Sequence, residues 1–343
     1  MRRISTIRRA LAVTGLAVGL LPAAAHAANC KPVKLPVALS QGAAKTSVAA
    51  GQLCRPSYHS PRASTVQLLI HGATYGKSYW DWPQQRYSYV RAALAAGYST
   101  LAVDRLGVGE SSRPASELVD SANNAYVLHQ WIDALRAGTL RGGAFRSVVS
   151  VGHSLGSALA VEEATSYHDV DALVLSGFLH SLGPGVEDVV GALYPAAFDP
   201  KFAGTITDQG YLTTLPGARG VFYWLPGADP AVVALDEELK EPMSASEFPG
   251  LNTGVYNPPA TNPSINVDVP VLLATGAHDS LFCGGQVSCT STSQVVANET
   301  PYWPNAPRLD VAIVPRAGHD VNLHRTAPLF FLATQAWIAA NAG

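Results

Sequence analysis

Lysine is scarce in this sequence, and its positive charge is gathered at one end. Only 14% of the 343 residues are charged, with six lysines against seventeen arginines, and Arg2, Arg3, Arg8 and Arg9 crowd the N-terminus. Without those four, 19 basic residues face 25 acidic ones, a net charge of −6. No basic patch is left in the body of the chain, which argues against nucleic acid as a partner. Beyond the first residues there is no second long apolar run, so no stable membrane anchor is expected. There is no Cys-x-x-Cys pair, which argues against a thiolate metal site, and no internal repeat or long low-complexity tract. Arginine in place of lysine, with abundant alanine, is the compositional bias of a GC-rich bacterial genome.

What is present begins with an address. The basic start runs into an apolar stretch, Ala10 to Leu21, too short to span a bilayer comfortably, and Ala25-His26-Ala27 supplies a small-x-small cleavage site. Residues 1–27 are therefore expected to be an export signal, with Arg8-Arg9 leaving both the general secretory and the twin-arginine routes open. The mature, secreted chain then begins near Ala28. Its four cysteines, Cys30, Cys54, Cys283 and Cys289, are an even set in an oxidising setting and predict disulfides. Three pairings are possible; nearest-neighbour pairing, Cys30–Cys54 and Cys283–Cys289, needs the least coincidence of folding.

Along the chain, short apolar runs alternate with helical patterns. Val33 to Leu53 reads as two modest strands. Thr65 to Ile70, Tyr98 to Val103, Ser147 to Val151, Ala172 to Ser176, Val269 to Thr275 and Leu309 to Val314 read as buried strands. Between them lie helical segments at Tyr87 to Ala96 and Asn124 to Ala137, the latter with Ala125, Leu128, Trp131 and Leu135 on one face, and a terminal helix from about Ala327 to Ala340. This alternation predicts a mostly parallel, doubly wound α/β sheet with its site beyond the carboxyl ends of the strands. From 179 to 265 the alternation stops among Pro, Gly and aromatic residues, which predicts a cap inserted into a core made of 28–178 and 266–343.

The chemistry centres on Gly152-His153-Ser154-Leu155-Gly156, which follows a β-branched strand and precedes a small-residue helix. That is the setting of a nucleophile elbow. A serine hydroxyl needs a base to take its proton, and the base needs an acid to hold its tautomer. Ser154, Asp279 and His319 each stand just after a predicted strand, in the order Ser…Asp…His. With the His71-Gly72 and Asp104-Arg105-Leu106-Gly107-Val108-Gly109 turns, from Thr65 to the C-terminus the chain resembles the secreted α/β-hydrolases of the lipase and esterase group. The resemblance implies an α/β-hydrolase fold, Ser154 as nucleophile, His319 as base and Asp279 as its partner. It also implies backbone N–H groups of Ala73 and Leu155 as the oxyanion hole, in the short form of that loop, and a structural role for Asp104.

The rivals of these residues have poorer placements. His278 and His324 read as surface residues, Asp320 adjoins the base and should point away from it, and His153 reads as packing. Thr74 and Tyr75 beside the oxyanion loop, and Phe222 and Trp224 in the cap, are candidates for the substrate pocket, whose aromatic lining favours an apolar acyl or aromatic group. The expected reaction is hydrolysis of a small-molecule carboxylic ester, lipid or lactone through an acyl-enzyme, with no cofactor or metal. An amidase or peptidase, an acyltransferase, and a binding protein that keeps the triad as a ligand pocket are the alternatives. Haloalkane dehalogenases and the usual epoxide hydrolases need a carboxylate at the elbow, and Ser154 argues against both.

Overall fold

The computed structural model describes residues 29–248 and 256–342; the expected export signal, residues 1–27, lies outside them. The chain opens with an antiparallel hairpin, β1 (Asn29–Val37) and β2 (Ser47–Arg55). Cys30 and Cys54 are register partners in it and are disulfide-bonded. Then come β3 (Thr65–Ile70), α1 (Tyr89–Ala95), β4 (Ser99–Asp104), α2 (Ser121–Ala137), β5 (Ser147–His153), α3 (Leu155–Tyr167) and β6 (Ala172–Ser176). An insertion carries α4 (Gly185–Gly191), β7 (Leu193–Pro195), β8 (Tyr211–Thr214), α5 (Pro230–Leu239) and β9 (Met243–Ser244). The chain finishes with β10 (Val271–Gly276), α6 (Thr292–Glu299), β11 (Leu309–Val314) and α7 (Ala327–Asn341).

Eight strands form one sheet in the order β1-β2-β4-β3-β5-β6-β10-β11. From β4 to β11 every pairing is parallel, and β2 joins β4 antiparallel. Strands β3, β4, β6 and β10 are buried at every position, the signature of a parallel sheet covered on both faces. Helix α1 packs with α7, and α2 with α3. The apolar stripe of α2 is buried as its periodicity predicts. The helix starts three residues earlier than that pattern, where Asp120 accepts the Asn123 N–H, and stops at Gly138 in the left-handed conformation (φ 68°).

The insertion is less irregular than its composition suggests. Its three short strands form an antiparallel sheet, β7-β8-β9, too short for a period-2 pattern to be legible in the sequence. A buried ion pair, Lys240 with Asp199 at 2.7 Å, ties its parts together. Among the described residues no helix is long and apolar enough to cross a membrane.

Candidate active site

Ser154 stands between β5 and α3 with φ 52° and ψ −121°, a conformation that strains any residue with a Cβ. Neighbouring glycines make the sharp turn possible. A Cβ on Gly152 would lie 2.5 Å from Ser157 Cα, and one on Gly156 would lie 2.2 Å from the Ile70 carbonyl oxygen. The Ser154 N–H donates to the Ser176 carbonyl (2.8 Å), and the Ser154 carbonyl accepts the Ser157 N–H (2.8 Å). The serine is half-buried at the positive end of α3, where a developing anion is favoured.

The candidate base comes from the C-terminal strands of the sheet. His319 follows β11 and Asp279 follows β10, and both are buried. His319 Nδ1–H donates to Asp279 Oδ2 at 3.1 Å, while Asp279 Oδ1 accepts the Leu281 N–H at 3.0 Å. That fixes the tautomer, leaving Nε2 as the basic nitrogen. Nε2 is buried without a hydrogen-bond partner among the described residues, so Ser154 Oγ is not bonded to it here. Free enzymes commonly close this bond only with substrate present. The rings of Phe282, Phe222 and His153 surround His319 at centroid distances of 5.6, 6.1 and 4.8 Å.

Burial disfavours the imidazolium of His319, but the Asp279 charge and hydrogen bond, with the Asp320 charge, outweigh it and raise the pKa above the ordinary 6.5. Only the neutral imidazole can take a proton from Ser154. Activity that depends on it should therefore fall as pH drops through that raised value. The acid limb of kcat/KM is expected above pH 6.5; a limb at or below 6.5 would contradict this assignment.

The loop after β3 shows how a backbone donor is aimed. His71 Nε2 accepts the Arg105 N–H (3.1 Å), so Nδ1 carries the proton and donates to the Gly72 carbonyl (2.9 Å). Arg105 Nη2 donates to the same oxygen at 3.2 Å. In a trans peptide C=O and N–H point opposite ways, so pinning the Gly72 carbonyl fixes the direction of the Ala73 N–H. Neither that N–H nor the Leu155 N–H donates to a protein acceptor among the described residues. Gly72 packs on the elbow, its virtual Cβ 3.1 Å from Ser154 Cβ. Arg105, which sequence reasoning did not single out, is buried and ion-paired with Glu247 of the insertion. Asp104 organises its turn as expected, accepting the Lys77 N–H (2.9 Å) and the Glu110 N–H (3.1 Å).

Behind the elbow lies a buried polar chain. His153 Nε2 meets Asp320 Oδ1 at 3.0 Å, and its Nδ1 meets Ser176 Oγ at 3.2 Å. Its ring stacks on Tyr79 at 4.4 Å. The single hydroxyl proton of Tyr75 faces two carboxylates, Asp320 at 2.5 Å and Asp236 at 2.9 Å. Asp236 is also held by Arg219 (3.0 and 3.1 Å) and by the Tyr223 hydroxyl (2.8 Å). Burial raises the carboxyl pKa of Asp320, against the pull of His319, the Tyr75 hydroxyl and Arg219.

Several expected roles need correction. Thr74 and Tyr75 are fully committed to protein: Thr74, buried at φ 59°, accepts from Arg219 Nη1 at 2.7 Å, and the Tyr75 hydroxyl is taken as described. They shape the loop and do not face a substrate. Phe222 does reach His319, but the Trp224 ring stacks on His278 at 4.0 Å. His278 is exposed as expected. His324 is not; it is buried, with Nε2 accepting the Gly318 and Trp224 N–H groups (3.0 and 3.1 Å), which pins the loop bearing His319. Gly177, also missed, matters most. It follows β6 at φ 54°, and a Cβ there would lie 2.9 Å from Cε1 of both His153 and His319. The only sequence signal was a glycine one residue past a strand end.

Cys283 and Cys289 are bonded, and the Cys283 N–H donates to the Asp279 carbonyl at 3.0 Å. Closing so short a loop stabilises by about 2 kcal/mol through the unfolded chain. Replacing both cysteines by serine should lower Tm by roughly 3 °C and, because the loop holds Asp279, also lower kcat at a temperature where the variant is folded. An unchanged kcat would make the bond a staple only.

Residues 67–331 match the alpha/beta hydrolase family. The chain belongs to it. A Bacillus subtilis (strain 168) protein provisionally named 2-succinyl-6-hydroxy-2,4-cyclohexadiene-1-carboxylate synthase is 25% identical over 279 residues, covering 77% of this chain and 87% of that one. Among solved structures, a soluble variant of monoglyceride lipase from Saccharomyces cerevisiae superposes with a TM-score of 0.60 at 16% identity, covering 86% of this chain and 91% of that one. Bromoperoxidase from Bacillus anthracis also gives a TM-score of 0.60 at 16% identity, covering 90% and 100%. At such identities these likenesses establish the α/β-hydrolase fold, while the particular reaction must be argued from the site.

Proposed function

We propose that this α/β-hydrolase is an exported serine esterase that cleaves small carboxylic esters with an apolar acyl or aromatic group. The observation that carries the reading is the strained Ser154 at φ 52° combined with a His319–Asp279 pair whose Nε2 is unpartnered among the described residues. In this reading His319 Nε2 takes the Ser154 proton as Oγ adds to the ester carbonyl. The Ala73 and Leu155 N–H groups receive the oxyanion. His319 then protonates the leaving alcohol, and water, activated by the same nitrogen, releases the acid and regenerates Ser154. Phe222 and Phe282 against His319 supply the apolar lining for the acyl or aromatic part.

The insertion, 179–265, serves in this reading as a cap over a core of 28–178 and 266–343, and residues 1–27 as the export signal. Two disulfides with no free cysteine among the described residues support an oxidising compartment. The monoglyceride lipase likeness agrees with an ester substrate without choosing one. The test is a panel of chromogenic esters of increasing chain length beside matched anilides, with mass spectrometry of the protein after a fluorophosphonate. The expected result is faster turnover of esters and a single adduct on Ser154. Anilide turnover equal to ester turnover would favour an amidase; no adduct and no turnover would favour a binding protein.

A further inference from the structure

At the opposite end of the nucleophile's helix is a cluster that the reaction does not use. His129 of α2, Glu163 of α3 and Asp169, two residues past the end of α3, bring one ring nitrogen and two carboxylates together, each offering an atom within 4.8 Å of the others. His129 Nδ1 and Asp169 Oδ2 are 2.6 Å apart. Glu163 is 0% exposed, and among the described residues no N–H or hydroxyl donates to either of its oxygens or to Asp169 Oδ1; the group it faces is the Asp169 carboxyl itself. Two carboxyls face to face in a buried site must be neutralised, either by a proton held between them or by a cation.

The nearby cations are committed elsewhere. Arg136 gives Nε and Nη2 to the Asp169 carbonyl (3.0 and 2.6 Å) and Nη2 to Asp171 (2.8 Å). His168 turns to Asp268 at 3.5 Å. We propose that His129, Glu163 and Asp169 bind a divalent transition-metal ion of the zinc class, with water completing the coordination. Three ligands of mixed nitrogen and oxygen type suit zinc, which takes four at about 2.0–2.2 Å; they are too few for calcium, which takes six to eight oxygens. Tetrahedral geometry needs ligand atoms about 3.4 Å apart, so the His129–Asp169 contact opens slightly and the longer separations close by rotamer adjustments.

The surroundings fit a ligand histidine. Asp133 Oδ2 lies 3.5 Å from His129 Nε2, where a metal-bound imidazole ordinarily finds an acceptor for its other nitrogen. Tyr167 stacks on the ring at 4.1 Å and holds its plane. His129 and Asp169 are half-buried and Glu163 is beneath them, so an ion can enter from solvent on to a buried anionic floor. The ion would clamp the end of α3 to α2, about 13 Å along the helix from Ser154, as a structural and not a catalytic metal.

The experiment uses the untagged chain, stripped with EDTA and dialysed, then titrated calorimetrically with ZnCl2 or CaCl2 and followed by thermal unfolding. Zinc should bind one-to-one and raise Tm by roughly 5 °C at a hundredfold excess over Kd, whereas calcium should leave Tm unchanged. His129→Gln and Asp169→Asn should each weaken zinc at least tenfold. The proposal is overturned if zinc neither binds nor raises Tm, or if both variants bind it as the wild type does. It is equally overturned if Glu163→Gln matches the Tm of the zinc-loaded wild type, since a proton alone would then suffice at this carboxyl.

Discussion

Ser154→Ala is expected to lower kcat on esters by about 10⁵–10⁶-fold, the scale seen when a triad nucleophile is removed. Binding should survive, because the Ala73 and Leu155 N–H groups do not depend on the serine side chain, and KM should move little. The stability readout separates strain from chemistry. Alanine at φ 52° keeps the strain of the elbow, since the Cβ causes it and the hydroxyl does not. Ser154→Gly, equally inactive, should relieve it and unfold at a higher temperature than Ser154→Ala. Comparable turnover by Ser154→Ala and the wild type would remove the acyl-enzyme from the mechanism.

Gly177→Ala should cost about 10²-fold in kcat by displacing the His319 ring while leaving every triad side chain chemically unchanged. A methyl there would sit 2.9 Å from Cε1 of both His153 and His319, well inside van der Waals contact. Two rings must then move or the backbone must, and Gly177 N–H is tied to the Ala274 carbonyl at 2.9 Å. A displacement of His319 approaching 1 Å is enough for a loss of this size. The left-handed φ adds about 1–2 kcal/mol of destabilisation, so the kcat comparison is made below the variant's transition. Wild-type kcat in a folded Gly177→Ala would show that the histidines have room the distances deny them.

Much of this architecture is written in the chain in local terms. The parallel strands are short apolar runs ended by turns, and each triad candidate comes immediately after one, so topology alone delivers Ser154, Asp279 and His319 to one edge of the sheet. The cysteine pairs were legible because Cys30 and Cys54 lie on neighbouring strands and Cys283 and Cys289 close a single loop. What was illegible is long-range. Tyr75 beside an oxyanion loop reads as a substrate contact until Asp236 and Asp320, far along the chain, are seen to take its hydroxyl. His324 reads as a surface residue because the backbone N–H groups it accepts carry no side-chain signature. Asp320, correctly set aside as a partner for His319, turns to His153, a pairing that no spacing announces. Arg105 and Gly177 act through geometry on atoms of other segments, so their residue types alone say little.

The chain of contacts from Arg219 through Asp236 and Tyr75 to Asp320 and His153 bears on how substrate gets in. Its first two members and Tyr223 belong to the insertion, and the others belong to the sheet side of the site. Swinging the insertion away would part buried Asp236 from the Tyr75 hydroxyl and Arg219 from the Thr74 hydroxyl, leaving polar groups without partners in a medium that solvates them poorly. Arg105 with Glu247 adds a second buried rivet of the same kind. Both sets of contacts hold the insertion against the sheet side of the site. If residues 179–265 do cap the site, substrate entry that required them to swing would be opposed by the loss of these buried contacts at every turnover.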